Sequence, residues 1–217
     1  MSEPDRLVQG YSRREFAQLA LAAVPAAYAR VSIAFEVTSV YDVAAPDGGL
    51  GGLVLAERAL DAPWVKNYDA LPGGSPLEWA TRFDLSRWGL FAARARGGAV
   101  VGAAAVAHDA AELDALRGRR DLAVLWDVRV APEARGRGVG TALLAAAESW
   151  AAARGARWLV IETQNVNVPA CRFYARHGCV LGGIHRFAYP DLPDEVQLLW
   201  YEALATAPRA RGRARAH

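Results

Sequence analysis

Residues 122–144 read LAVLWDVRVAPEARGRGVGTALL. Seven of the first nine are apolar and three are valines, which predicts a strand over 122–130. From Val139 onward, apolar residues recur at Leu143, Leu144, Ala147 and Trp150, the spacing of one buried helical face, so a helix is expected over 138–154. Between them runs the turn Arg135-Gly136-Arg137-Gly138-Val139-Gly140. A helix start carries unpaired N–H groups and the positive end of the dipole. Glycines without Cβ let a ligand come close to the backbone, and two arginines add charge. The stretch therefore predicts a pyrophosphate site built mostly from backbone N–H groups. A nucleoside-triphosphate loop needs GxxxxGK[ST] and no lysine stands here; a dinucleotide fold needs GxGxxG, and the spacing is GxGxG. A turn that merely packs helix on strand is the competing explanation of the glycines. Arg-Gly-Arg recurs at 117–119, in a polar loop, and at 211–213, in an arginine-rich end; nothing around either copy asks for an anion.

Working outward, RWLVIETQ (157–164) predicts the next strand, and the β-α-β step over 122–164 implies a parallel pair inside a mixed sheet. Asn167 is placed to cap a further helix with Pro169 in its first turn, ending near Gly178. CVLGGIHRFAY and EVQLLWYEAL predict a final strand pair. Upstream, VSIAFEVTSVYDV (31–43) predicts a strand, and GLFAAR and AVVGAAAVA a hairpin about Gly97-Gly98. Residues 53–88, with their prolines and aromatics, are expected to form short helices and loops. The expected fold is α/β, one mixed sheet flanked by helices, in a single domain over 31–204. Residues 205–217 are expected to be a disordered Arg-rich tail. For residues 1–30, Ser12 and Glu15 form a capping box ahead of Phe16, Leu19 and Val24, which predicts a helix ended by Pro25. A twin arginine before a short apolar stretch also fits an export signal.

Composition narrows the function classes. A chain of 217 residues, 53% hydrophobic and with seven tryptophans, can bury a substantial core. A net charge of +2 is too small to imply nucleic acid as a partner. Two cysteines make no disulfide framework, and the four histidines lack metal-ligand spacing, so no metal is expected. No apolar run reaches membrane-spanning length, so no membrane partner is expected either.

The stretch VRVAPEARGRGVGTALL resembles motif A of the GCN5-related N-acetyltransferase (GNAT) superfamily, with Arg135, Gly138 and Gly140 on its pattern. NVPACRFYARHGC resembles the family's motif B through Asn167, Ala170, Phe173, Tyr174 and Gly178, with Cys179 where an aromatic is usual. The likeness covers about residues 86–204. Within the superfamily, ETQNVNVPACRFYARHGCVLGGI and AYPDLPDEVQLLWYEAL look most like the streptothricin acetyltransferases. The resemblance implies a GNAT-like fold, a mostly antiparallel sheet with one splayed parallel pair. It implies acetyl-CoA as co-substrate and a small cationic amine, possibly a streptothricin-type antibiotic, as acceptor. A lysine or N-terminus of a protein is the alternative acceptor, and a CoA-binding module without turnover is the alternative function. It further implies a cytoplasmic protein, monomeric or homodimeric.

Carried onto this chain, the resemblance lays pantetheine along the backbone of Val128 and Val130 in the splay, where an N–H would also hold the developing oxyanion. It sets the pyrophosphate on the N–H groups of Arg135, Gly136, Arg137, Gly138, Val139, Gly140 and Thr141. The side chains of Arg135 and Arg137 either bond phosphate or are solvated. Asn167 bonds the pantetheine or caps its helix, and both are compatible. An alkyl amine, pKa ~10, must lose a proton before it attacks. Asp127, pointing away from the helix-packing face, is the first candidate base and Glu162 the second; a pairing of Asp127 with Arg129 is the alternative. Tyr174 falls on the family's general-acid position, its alternative being a buried aromatic beside Phe173. For the acceptor pocket, Trp64, Tyr68, Asp69 and Trp79 are candidates from one segment and Tyr189, Asp191, Asp194 and Glu195 from another, since aromatic faces and carboxylates suit a cation. Loop packing is the alternative for each of these.

Overall fold

The protein's structure, a computed structural model, describes residues 16–18 and 28–205. Among the described residues nine strands run in chain order: β1 (Phe16–Gln18), β2 (Phe35–Ala44), β3 (Val54–Lys66), β4 (Trp88–Arg94), β5 (Val100–His108), β6 (Leu122–Val130), β7 (Trp158–Gln164), β8 (Val180–His185) and β9 (Gln197–Ala203). The two longer helices are α1 (Val139–Ala153) and α2 (Val168–Arg176). Seven strands form one sheet in the order β1-β4-β5-β6-β7-β9-β8, and β2 and β3 form a separate ribbon. Within the seven-stranded sheet β6 and β7 pair in parallel, and the other neighbours are antiparallel. The mixed α/β sheet with a single parallel step is the fold expected from 122–164.

Period-two alternation divides the sheet's side chains between two cores. Ala104, Val106, Ala123, Leu125, Leu159 and Ile161 face α1, meeting Leu143, Leu144, Ala147 and Trp150. Ala103, Ala105, Leu122, Val124 and Val160 face the other way, onto Trp79, Trp88 and Leu90. The helix lies close on β5 because Gly102 has no side chain: a Cβ there would stand 2.8 Å from Val139 Cγ1. One residue breaks the alternation. Leu125 pairs with Val106 and Asp127 with Ala105, so Trp126 is an unpaired bulge in β6. Past it the parity inverts: Val128 and Val130 now pack on the α1 side, while Trp126 belongs to the opposite core.

Two expectations are corrected. Residues 53–88 are not irregular throughout, because Val54–Lys66 is a 13-residue strand paired with β2. Its sequence hides this. The ribbon is largely exposed, so no apolar alternation is imposed, and Pro63 falls in the register shift between the Ser39/Ala59 and Val37/Trp64 pairs, where no ladder bond is required of it. Short helical turns do fill 68–87, as expected. At the N-terminus, Phe16–Gln18 is not helical but pairs with Phe91–Ala93 as an edge strand. The rest of the expected N-terminal helix and the 205–217 tail, beyond Ala205, lie outside the described residues. Tyr28, placed by sequence in the extension, is fully buried in the domain core.

On the outer flank of α1, Glu148 faces Glu202 of β9. Burial, and then the charge of Glu202, push the Glu148 carboxyl up to about 7. A carboxyl that holds its proton more tightly when folded contributes full stability below its unfolded value of ~4.3 and loses it as pH rises through the folded value. The melting temperature should therefore fall between pH 5 and pH 8. Glu148→Gln should flatten that fall and melt above the parent at pH 8 by roughly 2–4 °C for each kcal/mol recovered, read by circular dichroism at both pH values.

Candidate active site

β6 and β7 pair only from Leu122/Trp158 to Leu125/Ile161. Beyond that point β6 stays on β5 as far as Val130, opposite Gly102, and β7 stays on β9 as far as Gln164, opposite Gln197. The strands therefore part at their C-terminal ends. The gap opens into a cavity of about 930 Å³ walled by both strands, the α1 start, α2 and residues from 32–36 and 68–79. Val128 and Val130 line it, on a stretch of β6 that no strand pairs on the β7 side.

At one end stands the start of α1. Gly136 and Gly138 have φ of 70° and 80°, the left-handed region that favours glycine. No side chain caps the helix, and Ala142 N–H bonds back to Gly138 O at 3.0 Å. The N–H groups of Val139, Gly140 and Thr141 thus have no helical acceptor. Arg135 N–H is engaged in a turn with Pro132 O at 3.3 Å, so the free cradle begins one residue later than expected. Its side chain is also occupied: Nε donates to Val130 O (3.0 Å) and Nη2 to Ala34 O (2.8 Å). Arg137 is exposed.

Helix α2 forms the adjoining wall. Asn167 lines the cavity and caps the helix, its Oδ1 accepting Ala170 N–H at 3.2 Å. His177 bonds Phe173 O through Nδ1 (2.8 Å) and Thr141 Oγ1 through Nε2 (2.9 Å), tying the end of α2 to the start of α1. Because a carbonyl only accepts, Nδ1 carries the proton, and in the neutral ring Nε2 accepts from the threonine hydroxyl. Tyr174 is buried and lines the cavity. Burial, and then the charge of Asp127, hold its hydroxyl well above the usual phenol range, so it carries its proton at neutral pH.

The other end is acidic. Arg129, its side chain wholly buried, donates to Asp127 (3.0 and 2.6 Å), to Asp69 (2.9 and 3.1 Å) and to Val31 O (3.1 Å). Tyr28 O–H donates to the same Asp127 at 2.8 Å. Two carboxylates on one guanidinium leave a net negative charge. Asp127 does point away from the helix-packing face, and it does pair with Arg129. Across the gap, Glu162 is exposed and accepts from Tyr189 O–H (2.6 Å) and Gln197 Nε2 (2.7 Å). Tyr68 lines the cavity and donates to Glu195 at 3.0 Å; Glu195 forms a buried ion pair with Lys66. Trp79 also lines it and meets Tyr28 edge-on at 5.1 Å between centroids.

Asp127, Glu162, Tyr68 and Trp79 line the same gap as the glycine turn, Asn167 and Tyr174; Tyr174 stands near enough to Asp127 to feel its charge, and Asp69 joins through Arg129 without lining the wall. Tyr189 reaches the site through Glu162. Trp64, 40% exposed on β3, lies outside the cavity wall, as do the exposed Asp191 and Asp194. Sequence reasoning missed Tyr28, Arg176, His177 and the segment 32–36. Arg176 and His177 lie within the motif B stretch and were findable; Tyr28 carries no local signal. Among the described residues no group of three or more His, Cys, Asp or Glu is placed to hold a metal ion, and no helix is long and apolar enough to cross a membrane.

Residues 56–179 match the model of the acetyltransferase (GNAT) family. Streptothricin acetyltransferase A of Bacillus subtilis (strain 168) is 40% identical over 81 residues, 36% of this chain and 47% of that protein, so the chain spans about half the length of that relative. The streptothricin acetyltransferase of Streptomyces lavendulae is 30% identical over 170 residues, 78% of this chain and 84% of that protein. The crystal structure of nourseothricin acetyltransferase superposes with a TM-score of 0.70 at 26% identity, covering 88% of this chain and 98% of that one. The family match takes in the strand, the glycine turn and both site helices, and on that ground the chain belongs to the acetyltransferase (GNAT) family.

Proposed function

We propose that this protein is an acetyl-CoA-dependent N-acetyltransferase whose acceptor is a primary amine on a small cationic molecule of the streptothricin type, acting in the cytoplasm where that donor is held. The observation that carries this is the polarity of a single cavity. One end offers free N–H groups and the positive pole of α1; elsewhere on the wall stand Asp127 and Glu162 with Tyr68 and Trp79, and Asp69 lies behind them on Arg129. A pyrophosphate suits the first and a cation the second. The names of the relatives support the choice of acceptor.

The chain's own groups divide the proton work. Asp127 accepts two bonds from Arg129 and one from Tyr28, so its oxygens are already engaged and we assign it to positioning. Glu162 is exposed and within reach of water, and it takes the ammonium proton directly or through one water. As nitrogen bonds the acetyl carbon and the carbon–sulfur bond breaks, Tyr174 hands its proton to the sulfur, and the proton then shed by the acylated nitrogen restores the phenol through solvent. Its raised phenol pKa suits a group that must arrive protonated.

Incubation with acetyl-CoA should convert streptothricin to a monoacetylated product, seen by mass spectrometry alongside thiol release, with a panel of other amines slower. Acetylation confined to peptides would replace this acceptor, and CoA binding without any turnover would replace the function. Tyr174→Phe should lower kcat about 10²-fold at neutral pH while leaving the dissociation constant of CoA unchanged by calorimetry. In the same titration Gly138→Val should weaken CoA at least tenfold, because a β-branched residue at φ 80° is strained by roughly 1–3 kcal/mol. Arg137→Ala should cost less than about threefold, as expected for an exposed charge.

A further inference from the structure

The family resemblance directs attention to Arg135 as a phosphate ligand, but its side chain is turned elsewhere. One edge of the guanidinium, Nε and Nη2, is spread over two carbonyls, Val130 O at the end of β6 and Ala34 O. Ala34 belongs to residues 31–34, which no strand pairs among the described residues. This segment runs along the cavity: Ser32, Ile33, Phe35 and Glu36 all line it. Its two ends are fixed at the acidic side, Val31 O by the buried Arg129 and the Phe35 ring against Tyr68 at 6.1 Å. Between those anchors, Ala34 O is held by Arg135.

We propose that Arg135 is a positioning residue for the acceptor: it straps residues 31–36 to the end of β6 and so holds the acceptor wall against the turn that carries the donor. This rests on the amine acetyltransferase function proposed above. The planar fork is what the task needs, since two donors on one rigid edge bridge two carbonyls, whereas a lysine offers a point charge that holds one. The strap also links two parts of the cavity wall, because Arg135 is the first residue of the glycine turn and Ala34 sits between the lining residues Ile33 and Phe35.

The test compares Arg135→Ala and Arg135→Lys with the parent, using three readouts. Deuterium exchange of the unliganded protein follows the amides of 31–36, calorimetry follows CoA, and steady-state kinetics follow streptothricin. The lysine variant keeps charge and aliphatic stem, so it serves if the alanine variant folds poorly. Expected in both variants are faster exchange in 31–36, an acceptor KM raised about tenfold, as for loss of a charged hydrogen bond, and a CoA dissociation constant within about twofold of the parent. Unchanged exchange in 31–36 would overturn the proposal. So would a tenfold loss of CoA affinity in Arg135→Ala that Arg135→Lys restores, since charge on phosphate would then be the role. If the parent leaves streptothricin unacetylated, the acceptor proposed above fails, while exchange and CoA titration still decide the role of Arg135.

Discussion

The bulge at Trp126 sets the side-chain parity of β6 at the point where its pairing with β7 stops. Upstream, Ala123 and Leu125 face α1; downstream, Val128 and Val130 do, and Asp127 and Arg129 turn to the other face. Without the extra residue a regular strand would aim Asp127 and Arg129 at the apolar residues of α1, where an unsatisfied charge is costly. The bulge therefore does two things with one residue. It bends β6 away from β7 to open the gap, and it sends the strand's charged pair to one side of that gap and its valines to the other.

Arg129 is the second constraint. Its guanidinium is fully buried, which is tolerable because four of its hydrogen bonds go to Asp127 and Asp69 and a fifth to Val31 O. The pairing gathers residues from three distant parts of the chain, 28–31, 69 and 127–129, around one point. It occupies Asp127 with three hydrogen bonds, whereas Glu162, across the gap, is hydrogen-bonded but open to solvent. Charge at this end is thus fixed in place by geometry before any ligand arrives, the arrangement that electrostatic preorganisation requires.

The part of the fold between 122 and 178 was legible because its signals are local. Strand, glycine turn, amphipathic helix, strand and Asn-capped helix each announce themselves within a dozen residues, and the strand and helix ends fell within a residue or so of expectation. The ribbon strand β3 was not legible, because an exposed two-stranded sheet imposes no apolar alternation and Pro63 reads as a breaker until its bulge is seen. The site divided in the same way. Tyr174, Asn167 and the glycine turn lie within one local run. The partners of Asp127 and Arg129 do not: Tyr28 is 99 residues from Asp127, and Asp69 is 60 from Arg129. Arg135 was found by motif, but the direction of its side chain depends on Ala34, 101 residues away.

Lys66 is the chain's single lysine, and it is 7% exposed with its ammonium locked on Glu195. Thioesters acylate free amines without any enzyme, and side-chain amines are their usual protein targets. This chain's basic residues are otherwise arginines, whose guanidinium stays protonated and does not compete as a nucleophile. Under the function proposed above, the chain thus offers an acylating thioester almost no side-chain amine, and its positive charge is carried by groups that such a donor does not acylate.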